Sequence, residues 1–208
     1  MRKLSNTKKF IYLISPKSIV NSKEFFKDLE LVLKSKKIFF FQLRLKKENK
    51  KKIIHIGNKI KKICKRYKVK FIINDKPNFA KIIGADGCHL GQKDTDIIKA
   101  KKILKKKIIG ITCHNSKRLI YKAIQNSADY IAIGAFYKSF TKNTNYKATI
   151  SLLKFVKKIT EIPIVAIGGI NNKNYKKLLL NNANFLAISG YIWNNDKYKP
   201  LEALNKIK

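Results

Sequence analysis

Acidic residues are scarce in this chain: 12 Asp and Glu stand against 48 Lys and Arg in 208 residues, a formal charge of +36. Arginine is scarcer still, limited to Arg2, Arg44, Arg66 and Arg118. Specific readers of nucleic acid favour Arg for its bidentate fork, and single-strand platforms interleave aromatics with basic residues. The lysine-rich runs Lys46–Lys52 and Lys99–Lys107 contain no aromatics. They read as solvated helix faces in a chain rich in Lys, Ile and Asn, the residues of A+T-rich codons. No specific nucleic-acid partner is expected, only salt-sensitive attraction to polyanions. Cysteine is sparse too. Cys64, Cys88 and Cys113 lie far apart with no C-x-x-C, which argues against a disulfide framework or a zinc site and for reduced thiols in the cytoplasm. No run of about twenty apolar residues occurs, so no membrane partner is expected. The opening MRKLSNTKKF is basic but has neither the apolar core nor the cleavage site of a signal peptide. Met1–Lys9 reads as a basic extension on a single domain spanning Met1–Lys208.

What the chain does have is 45% hydrophobic residues, enough for one substantial core. Apolar runs of strand length alternate with helical periods. Strands are expected at Phe10–Ser15, Ile38–Leu43, Phe71–Ile73, Cys88–Leu90, Ile108–Ile111, Tyr130–Ile133, Ile164–Ile167 and Phe185–Ile188. Helical spacing is read over Ser22–Leu33, Ile53–Tyr67, Ile97–Leu104, Ser116–Gln125, Ile150–Val156, Tyr175–Leu180 and Leu201–Ile207. A short helical piece also links the third and fourth strands. A weak echo recurs as GADGCHLG from Gly84, SADYIAIG from Ser127 and NANFLAIS from Asn182. Each is a helix end, a small residue, Asp or Asn, then a strand ending in Gly or Ser. Eight βα units in this length fit a compact single (β/α)₈ TIM barrel, with an open doubly wound sheet as the alternative fold.

In such a barrel the chemistry sits at the C-terminal ends of the strands. Those ends carry Gln42, Arg44 and Lys46, then Asn74 and Asp75, Asp94, Thr112 with His114, the loop from Gly134 to Lys142, Gly168-Gly169 and Ser189-Gly190. Cations, carboxylates, hydroxyls and glycine amides are the parts for phosphate groups with a divalent metal. Asp75 and Asp94 could hold such a cation. They could also be helix N-caps, one before Pro77 and one before the helix at Ile97, and on spacing alone the caps are favoured. His89 reads as a packed, hydrogen-bonded histidine rather than a base, while His114 is left open between the two roles. Cys113 reads as inert and Lys138 as solvated.

These strand ends resemble those of the thiamine phosphate synthase family. The likeness runs nearly end to end, through Gln42-Leu-Arg-Leu-Lys46, Ile73-Asn-Asp75, the stretch Gly84–Asp94, Gly110-Ile-Thr-Cys-His114, Thr141-Lys142 and Val165–Ile170. It implies a transferase of thiamine biosynthesis that joins an aminopyrimidine methyl diphosphate to a thiazole phosphate with Mg²⁺. It further implies that Gln42, Leu43, Arg44, Leu45, Lys46, Asn74, Thr112 and Lys142 hold the pyrimidine diphosphate, with Arg44, Lys46 and Lys142 catalytic. Asp75 and Asp94 become the metal ligands under this resemblance, and Ser139, Phe140, Thr141, Gly169, Ser189 and Gly190 take the thiazole phosphate. The loop after the sixth strand departs from the family pattern by losing both prolines, so it is expected to be mobile when empty. A tautomerase-like isomerase on a similar barrel is the nearer alternative, and a non-specific polyanion binder the farther one. Small phosphorylated substrates are the expected partners, and self-association is left open.

Overall fold

In the computed structural model the residues described are 9–138 and 145–207. They form a closed barrel of eight parallel strands in sequence order. β1 (Ile11–Ile14), α1 (Ser22–Lys34), β2 (Ile38–Leu43) and α2 (Lys50–Arg66) form the first two units. β3 (Lys70–Asn74), α3 (Pro77–Ile83), β4 (Gly87–Leu90) and α4 (Ile97–Leu104) follow. β5 (Ile108–His114), α5 (Lys117–Gln125), β6 (Tyr130–Gly134) and α6 (Ile150–Ile159) continue the alternation. β7 (Ile164–Ile167), α7 (Tyr175–Leu179), β8 (Phe185–Ile188), α8 (Gly190–Trp193) and α9 (Pro200–Asn205) complete it.

The periodicities explain the layers. Strands covered on both faces read as nearly continuous apolar runs, as IFFFQL does but for Gln42, because one face meets helices and the other fills the barrel. Phe41, Leu43, Ile73 and Ile109 join the core between sheet and helices. Tyr12, Phe40, Ile72, Tyr130, Val165 and Phe185 fill the interior. Gly110 makes room there, since a Cβ would run into the ring of Tyr130.

The sequence echo has a structural cause at the floor of the barrel. Gly84, Ser127 and Asn182 all take left-handed φ, at 70°, 52° and 73°. In each case the next residue is a buried alanine whose N–H bonds back to its helix: Ala85 to Ala80 O, Ala128 to Ala123 O and Ala183 to Leu178 O. The following Asp or Asn clasps the preceding strand. Asp86 N donates to Phe71 O at 2.8 Å and its Oδ2 accepts Phe71 N at 2.9 Å. Asp129 repeats this with Ile109, both bonds 2.8 Å, and Asn184 with Ile164 at 2.9 and 2.8 Å. Strand pairs 3/4, 5/6 and 7/8 thus start from the same reciprocal clasp.

Several element ends fall one to three residues from the expected ones, and two cases are instructive. β5 runs three residues past Ile111, through a register irregularity between Thr112 and His114, where His114 takes φ +52°. The four-residue α8 is too short to show a period, so no helix was expected between β8 and α9.

Candidate active site

The strand ends of β2 to β5 present a polar layer to the mouth. Gln42 is 2% exposed and donates from Nε2 to Asn74 Oδ1 at 3.2 Å. His89 is held between Tyr130 Oη at 2.9 Å and Thr112 Oγ1 at 2.8 Å, so it is indeed a packed, hydrogen-bonded histidine. Gln92 in the loop above donates to the Thr112 carbonyl. His114 stacks on Tyr146 with centroids 4.0 Å apart.

Above this layer stand the two carboxylates. Asp75 takes φ +63°, a region Asp tolerates better than most side chains, and its N–H bonds to His89 O at 2.7 Å. Its Oδ2 meets Lys46 Nζ at 2.8 Å. Asp94 turns back on its own loop, accepting Gly91 N at 2.7 Å through Oδ2. The cap reading fails for both. α4 is capped by Asp96, whose side chain accepts Ile98 N, and α3 has Lys76 at the cap position with no side-chain bond. The reason is local: the left-handed turn at Asp75 aims its side chain at Lys46, and the turn at Gly91 engages Asp94 one residue pair too early to cap.

A Cβ at Gly91 would lie 2.5 Å from Asp94 Oδ2 and 4.0 Å from Asp75 Oδ1. The two carboxyls therefore converge over a glycine. Burial raises the Asp75 carboxyl, but Lys46 and the Asp94 carboxyl outweigh it and hold it below the usual aspartate value of 3.8. Asp94 is pushed above that value, by burial first and by Asp75 second. Opposite shifts in adjacent acids are what two like charges sharing a site produce. Asp75 and Asp94 are the residues here that could hold a hard divalent cation. Their donors are all oxygen, and among the described residues no cluster of three or more His, Cys, Asp or Glu surrounds a point. A cavity of about 360 Å³ opens beside them, lined by Lys46, Asn74, Asp75, Lys93, Asp94 and Thr95 with Leu43, Leu45, Ile53 and Phe79 behind.

Leu43 and Leu45 are 2% and 5% exposed and belong to the outer core, which leaves only their backbone for a ligand. The Arg44 N–H is already taken by Ser15 Oγ at 3.0 Å, so its guanidinium is the part left to act. The β7 end forms a glycine turn, with φ +105° at Gly168 and +62° at Gly169. The stub of the next loop lies directly on it: Tyr137 N donates to Gly168 O at 3.1 Å, and a Cβ on Gly169 would meet Tyr137 at 2.8 Å. Asn174 steadies that turn by donating to Gly169 O at 3.0 Å. Ser189 donates to Ser15 O at 3.1 Å, and Gly190 opens α8, whose first N–H groups lack acceptors within the helix. Ser139, Phe140, Thr141 and Lys142, and with them the expectation of a mobile loop, lie outside the described residues. The two ends of that loop are joined, Ala135 N to Tyr146 O at 3.1 Å and Ala148 N to Ala135 O at 2.9 Å.

Ser15, Gly91, Gln92, Tyr130, Tyr137 and Asn174 escaped sequence reasoning. Ser15 and Gly91 had a signal, lying at or just past strand ends. Gln92 and Tyr137 lie within stretches already marked after the fourth and sixth strands, while Tyr130 and Asn174 act across the chain, where spacing says nothing.

Comparison with known proteins places the chain as a whole. The family model for thiamine monophosphate synthase matches residues 11–192. The thiamine-phosphate synthase of Pelagibacter ubique is 64% identical over all 208 residues, covering 100% of both chains. That of Erythrobacter litoralis is 36% identical over 198 residues, covering 93% of this chain and 92% of its own. Among solved structures, the thiamine phosphate pyrophosphorylase of Pyrococcus furiosus superposes with a TM-score of 0.84 at 24% identity, covering 96% of this chain and 94% of its own, a likeness of fold.

Proposed function

Because the chain belongs to the thiamine monophosphate synthase family, we propose that its reaction runs at the mouth built on Asp75 and Asp94. The chain acts as a thiamine-phosphate synthase, a transferase joining an aminopyrimidine methyl diphosphate to a thiazole phosphate with release of pyrophosphate. The observation that carries the site assignment is the convergence of Asp75 and Asp94 over Gly91, with Lys46 on Asp75.

The cation we assign is Mg²⁺, which keeps several waters and is held by one or two carboxylates together with substrate phosphates. Two carboxylates converging over Gly91, whose mutual repulsion a cation would relieve, fit that habit. When bound it supplies a Lewis acid to the departing diphosphate. Lys46, released from Asp75, turns its ammonium to the diphosphate beside Arg44 and Lys142. Gln42, Asn74 and Thr112 orient the pyrimidine; Gly169, Ser189 and Gly190, with Ser139–Thr141, hold the thiazole phosphate near strands seven and eight, where barrels often bind phosphate. The methylene–oxygen bond breaks with its electron pair leaving on the diphosphate, and the thiazole nitrogen lone pair forms the new carbon–nitrogen bond. Such a step asks the protein for charge and alignment, not for a nucleophile or strong base. That agrees with thiols that burial drives upward, Cys113 to about 12.

We assign the protein to the cytoplasm, where its three free thiols would stay reduced, with no specific nucleic-acid partner. No helix of the described residues is long and apolar enough to cross a membrane. The test is an assay with both substrates and Mg²⁺, following pyrophosphate and thiamine phosphate together. The two products should appear in step and stop in excess chelator. Full turnover in chelator would overturn the cation assignment. Isomerisation of the thiazole without pyrophosphate would overturn ring joining in favour of the tautomerase.

A further inference from the structure

A chain of four side chains runs from inside the barrel to its mouth. Tyr12 Oη lies 2.7 Å from Tyr130 Oη, Tyr130 Oη 2.9 Å from His89 Nδ1, and His89 Nε2 2.8 Å from Thr112 Oγ1. Both tyrosines are closed off from solvent, 2% and 0% exposed, and burial raises both phenols far above their usual value, so both keep their protons. Each link could run either way, but the links are not independent. An imidazole nitrogen that accepts carries no proton, so the other nitrogen must donate, and the ring passes direction from one side to the other.

The closed end decides that direction. Tyr12 Oη has Tyr130 as its hydrogen-bond partner among the described residues, and a buried hydroxyl hydrogen with no acceptor bears the full desolvation penalty. If Nδ1 donated to Tyr130, whether because Thr112 donated inward or because both ring nitrogens carried protons, Tyr130 would donate to Tyr12, and the Tyr12 hydrogen would have no acceptor among the described residues. Run outward, every hydrogen finds an acceptor: Tyr12 to Tyr130, Tyr130 to Nδ1, and Nε2–H to Thr112. The Thr112 oxygen is then engaged as acceptor, and its own hydrogen is left for the mouth.

We propose that Tyr12, Tyr130 and His89 are positioning residues that fix Thr112 as a hydrogen-bond donor to whatever occupies the mouth. The inference deepens the reading of Thr112 as a pyrimidine contact and rests on it for its ligand. Under that reading Thr112 meets an acceptor on the substrate, a ring nitrogen or a phosphate oxygen, and not the exocyclic amine. Specificity is thereby written into the interior of the barrel, three side chains below the group that touches substrate.

The direction can be read without activity. In the full chain labelled with ¹⁵N-histidine, His89 should be the neutral tautomer protonated at Nε2 alone, and Tyr12→Phe/Tyr130→Phe should mix the tautomers. An Nδ1–H or doubly protonated His89 in the unaltered protein would overturn the proposal, whether or not the double variant folds. Kinetics then tests the consequence. Thr112→Val and the double tyrosine variant should each raise KM for the pyrimidine diphosphate roughly fivefold, the scale of one hydrogen bond. KM for the thiazole phosphate should not move. An unchanged KM in Thr112→Val alongside the expected tautomer would overturn the substrate contact at Thr112 and leave the interior polarity standing.

Discussion

Floor and mouth of this barrel use the same side chain for opposite ends. At the floor, Asp86 and Asp129 each accept one backbone N–H, and Asn184 does the same at the third clasp. A neutral amide oxygen serves there as well as a carboxylate, so the clasp needs an acceptor of the right length and no charge. At the mouth, Asp75 faces Lys46, and Asp94 faces Asp75. There the charge is the point, because two acids held close with a lysine beside them repel one another until a cation or ammonium intervenes. An aspartate's residue type therefore says little about its job, while its end of the strand says most of it.

One substitution made at both ends sharpens the contrast most. Asp75→Asn and Asp94→Asn should each lower kcat/KM on the order of 10²–10³-fold, the scale of a lost preorganised charge. Asp129→Asn should leave kcat/KM unchanged and keep the clasp. Equal losses at floor and mouth would erase the distinction. Next in size, Lys142→Ala should lower kcat/KM by roughly a hundredfold if that residue meets the departing diphosphate. Gly91→Ala comes third, since its methyl would fall 2.5 Å from Asp94 Oδ2. It should weaken Mg²⁺ dependence about tenfold, as altered support of a metal ligand does, with little change in melting temperature.

Asp129→Ala tests the floor by itself. Losing a carboxylate acceptor for Ile109 N should cost about 1.5–3 kcal/mol, seen as a lower melting temperature with kcat/KM preserved. The smallest effect concerns Asp94. Its raised pKa means the folded state holds that proton more tightly than the unfolded chain does. Its contribution to stability is present below the unfolded value and is lost as pH rises through the folded one. Asp75, with a lowered value, contributes above its unfolded value and loses that contribution as pH falls through the folded one. At pH 7, Asp94→Asn should thus raise the melting temperature slightly and Asp75→Asn lower it. A destabilised Asp94→Asn would show that the two carboxyls do not oppose one another in the fold.

Much of the architecture could be read in advance. Ile38–Leu43, Ile164–Ile167 and Phe185–Ile188 are strands over the residues their apolar runs mark, because a strand buried on both faces carries few polar positions to blur its ends, Gln42 being the one in these three. The αL–Ala–Asx echo was visible as letters, but its meaning was not, since each clasp joins residues fifteen to twenty positions apart. Asp75 and Asp94 stood out by position, yet spacing alone favoured helix caps. Asp96, two residues on, caps α4 instead, and only the backbone turn at Gly91 decides between them.

The alternation of eight strands and helices, and hence the end of the barrel at which chemistry must sit, follows from local residue patterns alone. Hydrophobic period and turn residues act within a few positions, and that range is enough to set each βα unit. Tertiary structure alone decided that Lys46 meets Asp75, that Gly91 brings Asp75 and Asp94 together, and that Tyr12 connects through Tyr130 and His89 to Thr112. Those contacts join residues from different units, up to 118 positions apart, and no local pattern encodes a distance that exists only once the sheet has closed.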